Sequence, residues 1–437
     1  MMMNRIFKSI ESAGIATALV VALLCSCSDN EISHTQTAVS ITYPADAEGL
    51  TIISEEIKAV NLSTGQTQIL PSKSKIDIVS GLYDVIYSAE VQFSSSNGTE
   101  TSTVKGTLSG KAENVSITQN SCNVNIETFL SAENDDFIIE EIFFTGTLRP
   151  SGSAYFGDGY IKIFNNTDHV LYADGVGFCE SKFKSTANTE YSPDIRKDTM
   201  TIQSLYFIPG SGHDHPVLPG QSLLLCDTGI DHRNANPNSF DLSAADFEWY
   251  DVSQNPSTLD IDSETVPNLD KWYCYTESFY TLHNRGFASI ALVRIPLDKQ
   301  TYLKDFWYSY DYTVYTAAGA FPMQQQAFKM PNKWILDGVN LSVEASRLWN
   351  VLPPSVDAGW THCGTTDNDK TRFFKSVRRK VQYINSDGTR HLKDTNNSTD
   401  DFNADCVPSV IELQKSAIAT DGTKAGKTTL DGITPAN

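Results

Sequence analysis

The sequence is short of basic residues. Its 437 residues hold 33 Lys and Arg against 53 Asp and Glu, a formal charge of −20. Such a surface repels phosphate backbones and anionic headgroups, which excludes a nucleic-acid-binding role. No apolar run after Leu24 approaches the roughly 20 residues needed to span a bilayer. No GxSxG elbow, SxxK or papain-like cysteine pattern is present, so the sequence offers no motif for a nucleophilic enzyme. Gly210-Ser211-Gly212 beside His213 reads as a turn before a hairpin. Walker and GxGxxG loops are missing, and so are HExxH and a calcium loop. Asp260-Ile261-Asp262-Ser263-Glu264 lacks the glycine and final glutamate of the latter. No CxxC or zinc-knuckle spacing occurs among the cysteines.

What is present begins at the N-terminus. Arg5 and Lys8 precede an apolar stretch, Ala13 to Leu24, which is too short to span a membrane and has the form of a signal peptide over residues 1–26. Leu24-Cys25-Ser26-Cys27 has the bacterial lipobox pattern, a branched residue at −3 and a small one at −1. Cleavage would leave Cys27 acylated and anchored in outer-membrane lipid. Ser28-Asp29-Asn30-Glu31 resembles the acidic export signal of Bacteroidota surface lipoproteins, which implies the exterior face of the outer membrane. Residues 27–38 read as a tether. Six further cysteines, Cys122, Cys179, Cys226, Cys274, Cys363 and Cys406, allow either three disulfides in 15 pairings or buried free thiols.

The fold class expected is all-β. Segments such as LTIISEEIKAVNL, YDVIYSAEVQF and NVNIETFL between 39 and 130 alternate or are β-branched. Breaks fall at Thr64-Gly65, Ser80-Gly81, Asn97-Gly98 and Ser109-Gly110, a spacing that predicts a β-sandwich of about seven strands. The Gly81-Leu82-Tyr83-Asp84-Val85 strand resembles those of prealbumin-like, carboxypeptidase-regulatory-like domains, which act as spacers.

A second unit is expected over 135–410. FIIEEIFFTGTL, a glycine-rich loop, and GYIKIFNNTDHVLYADGVGF carry Glu140-Glu141-Ile142, Asp158 to Asn166 and Asp174-Gly175, and resemble the lamin-tail-like immunoglobulin domain. Residues 231–251, Lys329 to Trp334, and the Ser376–Lys380 and Asp394–Phe402 segments are similar to a family of Bacteroidota surface lipoproteins of unknown function. Members of that family are encoded with TonB-dependent outer-membrane importers, sometimes in iron-related loci. Residues 245–375 read as a large insertion, with helical turns over 256–271 and 339–351. Residues 411–437 read as a loose tail.

Three constellations could carry chemistry. His213 and His215 at i, i+2 share one face of an extended segment. Were the chain to turn back after the next strand, they would meet Asp231 and His232 as a metal site; otherwise they are a solvated loop and a structural histidine. No other cofactor is implied. Trp307, Tyr308, Tyr310 and Tyr312 belong to an aromatic run that is either a core strand or a stacking or protein-contact surface. Asp198-Thr199-Met200 fits the short O-glycosylation pattern of this bacterial group, with Thr199 as acceptor.

The sequence therefore describes a non-enzymatic, lipid-anchored surface protein that binds a ligand or a partner, as accessory to a TonB-dependent importer. The alternatives are a surface hydrolase with its site in residues 245–375, and a structural or adhesive stalk.

Overall fold

The computed structural model describes residues 33–415, apart from positions 46, 72–74, 97–100, 119–121, 133–135, 254, 258 and 277. Residues 1–26, expected as a signal peptide, Cys27 and the residues after 415 lie outside the described residues. No helix among the described residues is long and apolar enough to cross a membrane.

The chain is all-β. Seven strands make the first unit, in the spatial order Thr67–Leu70, Thr51–Asn61, Gly81–Ser96, Thr101–Ile117, Cys122–Ala132, His34–Thr42, Ile76–Val79. The strand Cys122–Ala132 changes neighbour along its length. Its first half runs parallel to His34–Thr42, and its second half runs antiparallel to Thr101–Ile117. It thus joins two sheets around a core of Ile57, Val85, Tyr87, Val91, Leu108 and Ile126. Alternation along these strands puts one apolar set inside, as the pleat requires.

Two expectations change here. Residues 34–38, expected within the tether, lie in the first strand, His34–Thr42. Ser109-Gly110 is no turn either. Gly110 lies inside the continuous strand Thr101–Ile117, and a Cβ there would stand 2.4 Å from the Glu127 carbonyl oxygen. Glycine marks a close approach of two backbones at this point.

The second unit is a pair of facing sheets. One has six strands, ordered Phe247–Glu248, Ser222–Cys226, Tyr160–Asn165, Phe137–Phe143, Ser376–Arg379, Phe402–Cys406. The other runs Tyr191–Ser192, Trp307–Thr316, Gly319–Pro331, Thr199–Phe207, Val176–Ser181, Ile290–Arg294, Ile335–Val339, with Asp270–Cys274 beside Thr199–Phe207. Ile139, Ile142 and Ile163 of the first sheet pack on Phe178, Tyr206 and Leu292 of the second. Residues 245–375 are therefore woven into the sandwich instead of standing apart as an insertion. Ile290–Arg294 pairs with both Val176–Ser181 and Ile335–Val339.

The helical turns differ as well. Between 256 and 271 the described residues form turns and the start of a strand, and 339–351 holds one short 3-10 turn, Glu344–Ser346. The helix Lys299–Asp305, capped by Asp298, carries no expectation from the sequence. Residues 411–414, expected within the loose tail, are ordered. Ser409–Gln414 is helical, with Ile411 buried and Glu412 paired to Arg378 at 2.6 Å.

Six cysteines among the described residues are free thiols. Five are buried, and Cys122 is half-buried. Burial pushes the thiols of Cys179, Cys226 and Cys363 up, which keeps them neutral.

Candidate functional site: a polar groove between the two sandwiches

Between the two units lies a groove of about 1300 Å³. Ile53, Glu90, Lys105 and Thr107 of the first sandwich line one side. The segment Asn166–His169 and a small hairpin, Val381–Ile384 with Arg390–Leu392, line the other.

The hairpin forms because Asn385-Ser386-Asp387-Gly388-Thr389 is a turn sequence. Gly388 takes a φ of 87°, and the Asp387 carboxylate accepts the Thr389 N–H at 2.9 Å. It is fastened to the sandwich at two points. Asn166 donates to the Leu392 carbonyl at 3.0 Å and accepts the Leu392 N–H at 2.8 Å. Arg390 pairs with Glu140 at 2.8 Å and lies over the Phe164 ring. Burial opposes ionisation of Glu140, but Lys162 and Arg390 outweigh it and hold this carboxyl down at about 2.

Held this way, the hairpin presents a ring platform. Tyr383 and His391 are cross-strand partners, stacked with centroids 4.5 Å apart and planes 14° from parallel. Tyr383 is 47% exposed.

Under the groove sits a buried charge network. Arg379 contacts Asp337 at 2.5 Å and Asp394 at 3.0 Å, donates to the Ile139 carbonyl at 2.7 Å, and lies over Phe402. Asp337 and Asp394 line the groove. Burial, reinforced by Asp394 and opposed by Arg379, pushes Asp337 up to about 6. The same forces push Asp401 up to about 6.

Six lining residues are acids, of which Asp337 and Asp394 are paired with Arg379 and Asp136 with Arg294, leaving Glu90, Asp168 and Asp387; the permanent cations of the lining are Lys105 and Arg390. Arg390 is already engaged with Glu140. The groove therefore disfavours anions. Flat rings and carboxylate and amide side chains suit a ligand with apolar faces and hydrogen-bond donors, such as hydroxyls or amines. The sequence reading missed Tyr383 and His391. Asp387-Gly388 between VQYI and RHL was the available signal, a hairpin turn flanked by β-formers.

The residues singled out in the sequence have other places. His232 is buried. Its Nε2 donates to the Thr228 carbonyl, and its Nδ1 accepts from the Tyr155 hydroxyl, both at 2.9 Å. A carbonyl can only accept, which fixes this tautomer and occupies the free lone pair. Burial lowers the pKa of His232, against the pull of Asp158. Asp231 caps the turn His232–Asn234 and pairs with Arg233 at 2.7 Å. His213 packs on Tyr172, and His215 on Phe247. The four are not gathered. Among the described residues no group of three or more His, Cys, Asp or Glu side chains stands where it could hold a metal ion.

The aromatic run divides. Tyr310 is 3% exposed and packs with Phe183, Tyr191 and Trp349, so it belongs to a core. Tyr308 is half-buried and shares a 2.5 Å hydrogen bond with Thr201, and Tyr312 is half-buried beside Tyr310. Trp307 is part-exposed, edge-on to Phe328. Thr199 opens the strand Thr199–Phe207, paired with Pro331 and half-buried.

Comparison with known proteins places part of this chain. Residues 218–409 match the family described as "Protein of unknown function (DUF4876)". A crystal structure of a DUF4876 family protein from Bacteroides thetaiotaomicron VPI-5482 is similar, with 20% sequence identity and a TM-score of 0.53. The match covers 88% of this chain and 98% of that one. At that identity the likeness is one of fold. No curated protein matches the chain.

Proposed function

We propose that this chain is a lipid-anchored protein on the exterior face of the outer membrane that binds a ligand in the groove and does not transform it. It acts as accessory to a TonB-dependent importer. The observation that carries the reading is the stacked Tyr383–His391 pair, with Tyr383 exposed and His391 half-buried, on a hairpin that Asn166 and Arg390 fasten to the sandwich. Rings held in place before a ligand arrives lose little entropy on binding. The lipobox at Cys27 and the acidic residues after it support the placement. The lamin-tail-like reading of the second unit rests on the Glu140-Glu141-Ile142 and Asp158–Asn166 segments, whose strands are antiparallel neighbours.

The test is native mass spectrometry of the protein released from outer membranes, with affinity capture alongside it. The wild type should carry an added mass that a Tyr383→Ala, His391→Ala double variant lacks, and a TonB-dependent barrel should be captured with it. Identical spectra from the two proteins would remove the groove as the ligand site. Capture of the lipoprotein alone would remove the importer.

A further inference from the structure

The strands Trp307–Thr316 and Gly319–Pro331 pair over ten residues of each strand, from Trp307↔Phe328 to Thr316↔Gly319. Only the base of this hairpin is joined to the sheet. Residues 328–331 pair with Thr199–Ile202, and residues 311–312 with Tyr191–Ser192. Beyond the base the hairpin stands in solvent, and every residue from Thr313 to Gln326 is exposed.

Its composition runs against that exposure. The 17 residues from Tyr312 to Phe328 include no charged side chain, in a chain where 20% of residues are charged. By the register, Val314, Phe321 and Met323 lie on one face, and Tyr315 and Pro322 on the other. Phe321 and Met323 are 46% and 44% exposed, and Tyr315 is 78% exposed. Ala317, Ala318 and Ala320 complete the turn. The end is thus uncharged, with apolar side chains on both faces, and its hydroxyls are those of Thr313, Tyr315 and Thr316, the last bonded within the turn. Below it sits a polar collar, in which Gln324 binds Asp311 at 2.8 Å, Gln325 accepts from Tyr310 at 2.9 Å, and Gln326 binds Ser309 at 3.2 Å.

Strand addition along the Gly319–Pro331 edge does not explain this tip. Pro322 pairs with Thr313, so its missing N–H faces the outer edge of Gly319–Pro331 and blunts it. A dimer does not explain it either. Val314, Tyr315, Phe321 and Met323 offer on the order of 300 Å² of apolar surface, against about 800 Å² per partner in a stable protein interface. An uncharged tip above a polar collar matches the headgroup boundary of a bilayer, where Tyr and Phe sit at the interface and apolar side chains below it.

We propose that the tip of this hairpin, Val314 to Met323, seats in a lipid membrane surface. The membrane is one of neutral headgroups, because the chain's charge of −20 opposes anionic ones. The contact holds the groove at a set orientation to the bilayer.

A chain of residues 28–437 tests this without the acyl anchor. It keeps every strand pairing described above, the first of which begins at His34. It should float with phosphatidylcholine vesicles. A Tyr315→Asp, Phe321→Asp double variant should float at least about tenfold less, with its melting temperature unchanged, because the two positions are solvent-exposed, lie on opposite faces and are not cross-strand partners. Failure of the wild-type chain to float would overturn the proposal, and so would equal flotation of the two proteins. Tip-dependent dimerisation without flotation would overturn it in favour of a protein contact.

Discussion

Glu180 shows what burial does to one residue. It is 2% exposed, in the strand Val176–Ser181, and accepts hydrogen bonds from Gln203 at 2.6 Å and from the His283 N–H at 3.2 Å. Burial exceeds these contacts and pushes the carboxyl up to about 7 from 4.5. A carboxyl raised on folding adds stability that is complete below its unfolded value near 4.5. That stability is lost as pH rises through about 7. Asp357, pushed up to about 7, acts in the same direction, whereas Glu140, held down at about 2, loses its contribution between about 4.5 and 2. Urea denaturation from pH 5 to pH 8 should therefore show declining stability. Glu180→Gln should flatten the decline by up to about 3 kcal/mol. A slope unchanged by the substitution would show that Glu180 titrates at its ordinary value. None of this was legible in the sequence, where Glu180 is one acid among 53 acidic residues. His232 is the same case: its sequence neighbours suggested ligation, but its partners, Tyr155 and Thr228, are set by tertiary packing.

Among the elements, strands between 39 and 130 were legible because period-two alternation survives wherever one face is buried. Gly110 was misread because a glycine within β-formers signals a turn and a close approach equally well. Only the neighbouring strand separates the two. Gly110→Ala should lower stability by about 2–4 kcal/mol, since the new methyl meets the Glu127 carbonyl at 2.4 Å and Ile126 Cγ2 at 2.8 Å. Thermal melting of the variant checks this. A loss under about 1 kcal/mol would mean that Cys122–Ala132 shifts easily. The aromatic run shows where alternation stops being informative. Tyr310 and Tyr312 share a face and a spacing, yet one lies over the core and the other at its margin, because the strand outruns the sheet that supports it.

Over the whole molecule, two cores are joined by polar contacts that include Lys58–Asp400 at 2.8 Å and Arg347–Asp84 at 3.4 Å. Such pairs, where part-exposed, contribute about 0–1 kcal/mol each. Calorimetry should resolve two transitions. Asp84 is buried and also holds Lys111 at 3.0 Å and the Asn114 N–H at 3.0 Å. Asp84→Ala should lower the transition of the first sandwich by the equivalent of about 2–3 kcal/mol, and move the other far less. One transition, shifted as a whole, would contradict this division. The all-β class was readable from composition and periodicity. The groove was not, because its walls come from residues as distant as Ile53 and Asn396.

The strand His34–Thr42 sets how the molecule bears a pull. It is the first described element, and it lies between two neighbours, parallel to Cys122–Glu127 and antiparallel to Ile76–Val79. Tension on the chain ahead of residue 34 runs along this strand and loads both ladders in shear, so their hydrogen bonds share the force instead of opening one by one. A protein held by its leading end under flow would meet drag with its most resistant geometry.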